Sequence, residues 1–248
     1  MTSVNLVRSE LRKLTTTRMP LTFGAVLIVL AVTNGIAVAI GTDMDGSKTF
    51  ISTGADQQSL TAFAANSLMI AGLFGAIAAA REYANNTIIA TYLNTPVRGR
   101  ALRAQFTAIC GGGAVLGLAG AALTIIAVAL ALPTTEHGFM MSAGDVARII
   151  VASGWAGAAG AVLGAGIGTV VRNTGGAVTG VVLILMIAPP LVVQLASGTA
   201  PWIPNTLANV TSGVAADTGA AAAVIAIGLW ALVPALAALW SVRHRDVT

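Results

Sequence analysis

Six uncharged stretches, each long enough to cross a bilayer, leave this chain few folds to adopt. They are Leu21–Gly41, Leu60–Ala80, Gln105–Leu132, Ile149–Val171, Gly175–Ala196 and Gly219–Ser241. A hydrocarbon core about 30 Å thick is crossed by a helix of about 20 apolar residues. In lipid the backbone must satisfy its own hydrogen bonds, which a helix does within one segment. Only 9% of the 248 residues are charged, against about 25% in a soluble domain. The predicted fold class is therefore all-α: one polytopic membrane domain over residues 1–248 with six transmembrane helices.

The third stretch is long enough to tilt or to extend past the membrane. The fifth holds Pro189-Pro190, and a helix is expected to end or kink before such a pair, since both residues lack a donor N–H. Ala37-Val38-Ala39 has the form of a signal-peptidase site, but the basic segment before the first stretch and the stretch itself are longer than a signal peptide needs. Lys and Arg then set an orientation. With both termini inside, eleven fall on the inner side (Arg8, Arg12, Lys13, Arg18, Arg81, Arg98, Arg100, Arg103, Arg172, Arg243, Arg245), and only Lys48 and Arg148 fall outside. This positive-inside bias predicts a multi-pass protein of the plasma membrane with cytoplasmic termini. Residues 42–59 and 133–147 read as polar outer loops. Residues 197–218, following Leu191–Leu195, read as a pair of short re-entrant or interfacial helices between spans five and six.

Ionisable residues inside spans usually mark proton relays, ion sites and catalytic centres. The six stretches hold no Asp, Glu, Lys, Arg or His. Ser153 thus has no base to activate it, and metal-ligand sets are missing, so no catalytic residue, cofactor site or metal site is expected. Neither Lys13 nor Lys48 follows a glycine, which excludes the phosphate-binding loop of ATPases. Such a chain does vectorial work only with energy supplied by a partner. What the spans do contain is small residues four apart: Gly113/Gly117, Gly160/Gly164/Gly168 and Gly176/Gly180. This spacing predicts close helix packing, within the bundle or, alternatively, between subunits.

Two polar segments remain. In "VNLVRSELRKLTTTR", Val4, Val7, Leu11 and Leu14 share one helical face, which predicts an amphipathic interfacial helix within residues 1–20. Residues 81–104 carry five of the chain's charges, Arg81, Glu82, Arg98, Arg100 and Arg103. Each would cost about 2.5–3.5 kcal/mol mid-membrane, so the segment lies outside the core. Asn86 and Thr87 suit a helix start, Ile88, Ile89, Tyr92 and Leu93 share one face, and Pro96 ends it. A short helix with an exposed apolar face suits a groove on a partner.

At these residues the chain resembles the type-2 family of ATP-binding-cassette (ABC) transporter permeases, the membrane subunits of bacterial exporters. The likeness is carried by "SELRKL" at 9–14, by "EYANNTIIATYLNTPVR" at 82–98, and by the six-span layout with a kinked fifth span. The family often has Gly where Asn86 stands. The resemblance implies that residues 87–95 form a cytoplasmic coupling helix between spans two and three, docking into a separate ATPase subunit. Ile88, Tyr92 and Leu93 would be its anchors, and Glu82 and the arginines, Arg98 among them, would position it; Asn86, Thr87 and Pro96 would shape it. Two ATPase subunits, which bind the ATP and Mg, and a second, identical permease chain would complete the transporter. The uncharged interior suggests a hydrophobic or amphiphilic cargo, such as a lipid, an antibiotic or an apolar peptide. The alternative is a non-transport membrane scaffold or sensor subunit. No nucleic-acid partner is expected.

Overall fold

The computed structural model describes residues 3–85, 87–88 and 97–244. Among them helix is the only regular structure. The order is α1 (Ser3–Thr16), α2 (Met19–Ile40), α3 (Gly54–Thr61), α4 (Ala64–Ala84), α5 (Arg98–Ala131), α6 (Ala143–Val171), α7 (Thr174–Val182), a π segment (Leu183–Ile187), α8 (Ala188–Leu195), α9 (Pro204–Ser212) and α10 (Ala220–His244). Six helical stretches are long and apolar enough to cross a membrane: α2, α3–α4, α5, α6, α7–α8 and α10. At 1.5 Å per residue the 34 residues of α5 span about 51 Å, well beyond the hydrocarbon core. Its first two turns, with Arg98, Arg100 and Arg103, thus extend past the apolar region.

The helices start and stop where local chemistry dictates. Ser142 caps α6 and Thr53 caps α3, each in a box closed by an aspartate three residues on, Asp145 and Asp56. The Asn173 side chain accepts the Gly176 N–H at the start of α7. Segment 42–59 is more ordered than a polar loop, because Thr53 and Asp56 build α3 within it. Gln57, fully buried, holds it in place. Its Nε2 donates to the carbonyls of Ile51 and Gly138 at 3.2 and 2.9 Å, and its Oε1 accepts the Met140 N–H at 2.9 Å. One satisfied amide thus joins the two segments expected to be outer loops.

The core is made by close approach. In α6, Gly160, Gly164 and Gly168 lie against the carbonyls of Leu68, Gly72 and Ala76 in α4, so near that a Cβ at Gly160 or Gly164 would overlap those oxygens. Gly113 and Gly117 of α5 do the same against Gly157 and Ser153 of α6, while Gly176 and Gly180 meet the side chains of Val171 and Ile167. The first two glycine patterns are therefore used inside the chain, while Gly176 stays exposed. Ser67 fastens the junction by donating to the Ser153 carbonyl at 2.7 Å. In the most apolar 18 residues of each span, 61% are buried for the span containing α4 and only 17% for α2, which puts α4 at the centre and α2 at the rim.

The proline pair does not end the fifth span. The helix widens into a π turn over Leu183–Ile187 and continues as α8. Pro189 has no N–H for the Leu185 carbonyl, and Asn205, from the start of α9, donates its Nδ2 to that oxygen at 3.3 Å. A π turn is a recognised cause of helix distortion. Beyond it come a 3-10 turn, Ser197–Trp202, and α9, within the segment 197–218. Leu207 and Ala208 of α9 are fully buried and join the core formed by α4, α6 and α10.

Lys48 and Arg148, the two cations expected on the outer side, are both occupied at helix C-termini. Lys48 donates to the carbonyls of Val38 and Ala39 at 3.1 and 2.7 Å. Arg148 donates to those of Thr211 and Val210 at 3.1 and 3.0 Å, where α9 closes on Gly213 at φ 83°. Cations suit the negative end of the helix dipole and the unpaired carbonyls found there.

Candidate functional site

The segment expected to dock a partner begins at the last turn of α4, and α1 braces it there. Lys13 Nζ lies 2.6 Å from Glu10 Oε1 and 3.1 Å from Glu82 Oε1, so one ammonium holds a carboxylate of its own helix and another from α4. Burial alone would lower the Lys13 pKa, but its hydrogen bond to Glu10 and the charge of Glu82 outweigh it and hold the group above the usual lysine value. Glu82 is thus paired within the chain.

The packed face of α1 differs from the one read in the sequence. Leu6 and Glu10 are its buried residues, Val7 and Leu14 are half-buried, and Val4 and Leu11 are exposed. The amphipathic helix is present, but its apolar side divides between the bundle and its surroundings. Sequence reasoning missed Glu10 and Lys13 as members of the site. The available signal was their spacing of three, which sets two opposite charges on adjacent turns.

Beyond α4, the Thr87 hydroxyl donates to the Glu82 carbonyl at 3.2 Å. Thr87 and Ile88 are helical, where a coupling helix was expected to start. Thr87 is exposed, while Ile88 is only 3% exposed. The Ile88 side chain is thus covered within the folded chain. Asn86, Ile89, Tyr92, Leu93 and Pro96 lie outside the described residues. Arg98 opens α5, its side chain outside them too. Arg100 and Arg103 are exposed on the first turns of α5.

Further basic chemistry sits beside this brace. Arg172, which ends α6 in the left-handed conformation at φ 58°, carries its guanidinium 5.3 Å from the centre of the Tyr83 ring. That is within the range of a cation–π contact. Among the described residues no three His, Cys, Asp or Glu side chains come together to hold a metal ion. What the arrangement offers is a braced, polar end of α4, the central helix. No protein-family model matches the chain, and no curated protein is similar enough to count as a relative.

Proposed function

We propose that this chain is the membrane subunit of an ATP-driven exporter, related to the type-2 ABC permeases, and that residues 82–98 dock a separate ATPase. The observation that carries the reading is the Lys13 bridge to Glu82 at 3.1 Å. It fastens the N-terminal helix to the base of α4 immediately before the segment that bears Tyr92 and Leu93. A docking segment rooted in this way moves the central helix when the ATPases close. Tyr92 and Leu93 supply the apolar contact, Thr87, Asn86, Pro96 and Arg98 shape and position it, and Glu82 acts through Lys13. A pair of chains with two ATPases forms the transporter, and its cargo is hydrophobic or amphiphilic.

Co-expression with candidate ATPases tests this. The expected outcome is a complex that survives purification and whose ATP hydrolysis falls at least tenfold on Tyr92→Ala or Leu93→Asp. Failure of any ATPase to co-purify, or variants that hydrolyse ATP as the wild type does, would reject the exporter reading and favour a scaffold or sensor.

A further inference from the structure

A basic cleft opens beside the brace, between α1, the start of α5 and the end of α10. Its volume is about 850 Å³. Arg100, Arg103 and Arg243 line it, all exposed, above a floor that includes the buried Leu6 and Val242 and the half-buried Val7. None of the three arginines forms an ion pair among the described residues; Glu10 of α1 and Glu82 of α4 are held by Lys13 instead. Three like charges in one concavity repel each other unless an anion joins them. We infer that this cleft binds the headgroup of an anionic phospholipid, with its acyl chains running down the apolar faces of α5 and α10.

Two features favour a lipid over an acidic stretch of protein. The cleft sits where two membrane-spanning helices leave the apolar region, so its height is that of lipid phosphates. Trp240, one turn before Arg243 in α10, is 61% exposed and stacks on His244 at 4.8 Å between centroids. An exposed tryptophan at a span's end marks the interfacial layer. The floor is also apolar enough to receive the glycerol and upper acyl carbons, which a soluble anion does not use. Arginine forks suit phosphate oxygens. This inference does not depend on the exporter reading, since any membrane protein with this cleft would bind such a lipid.

Native mass spectrometry of the purified full chain, exchanged into equal amounts of phosphatidylglycerol and phosphatidylcholine, tests it. Each arginine near an anionic surface contributes about fivefold, so wild type should retain one phosphatidylglycerol per chain with a preference of about a hundredfold. Replacing Arg100, Arg103 and Arg243 together by Gln should abolish the preference, while the triple Lys variant should keep most of it. Arg8→Gln with Arg12→Gln, removed from the exposed side of α1, should change it less than threefold. Four results would overturn the proposal. These are no preference in wild type, a preference that survives the Gln variant, equal loss in the α1 variant, or displacement of the lipid by millimolar glycerol phosphate. A Gln variant with unaltered lipid binding that instead loses a co-purifying ATPase would assign the cleft to protein contact.

Discussion

Single glycines and single cations set the geometry of this bundle. At Gly164 a Cβ would overlap the Gly72 carbonyl oxygen, and backbone atoms on both sides leave nothing flexible to yield. Gly164→Ala is expected to destabilise the chain by about 1–3 kcal/mol, the usual cost of overpacking. Gly111→Ala, in α5 with open space around it, should instead be neutral or stabilise by up to about 1 kcal/mol. Reversible unfolding in mixed micelles compares the two, and equal effects would contradict the packing described here. The glycine spacing was legible in the sequence because helical periodicity alone brings residues four apart to one face. The partners of Lys48, Arg148 and Gln57 were not, since each bond joins positions that only tertiary structure brings together. Leu6 escaped notice for the same reason: α1 buries the face turned to α5, which its own periodicity does not reveal.

Among the elements, the fifth span is where local chemistry and tertiary structure interact most. A disturbance at Pro189-Pro190 is legible in the sequence, because a missing N–H is a property of the residue. Continuation of the helix is not legible there, because it relies on Asn205, 20 residues away, to satisfy the Leu185 carbonyl. A double-mutant cycle isolates this. Asn205→Ala should cost about 1 kcal/mol in the wild type, the typical worth of one hydrogen bond. In a Pro189→Ala background it should cost under about 0.3 kcal/mol, since the restored N–H of residue 189 takes over the same carbonyl. Equal costs in both backgrounds would show that Asn205 does not complement the proline.

At the scale of the whole molecule, six apolar spans follow from segment length and hydropathy, and the structure has six helices that fit them. Their arrangement around α4 rests on glycine contacts and on Lys13, which no single segment specifies. Of the candidate site, the location was legible because charge is scarce elsewhere in the chain. The bracing of Glu82 by Lys13 and the burial of Ile88 were not, since both arise from tertiary contacts that no single segment specifies.

The central claim is that the segment between α4 and α5 meets an ATPase on the inner side of the membrane. Site-directed cross-linking tests it most directly. In a Cys110→Ala background, which removes the native thiol, a cysteine at Tyr92 should cross-link to the co-expressed ATPase in intact membranes. A cysteine at Met44, fully exposed in the segment assigned to the outer side, should form no such product and should instead react with a membrane-impermeant thiol reagent applied to whole cells. A cross-link from position 44, or none from position 92 in a complex that hydrolyses ATP, would contradict the account.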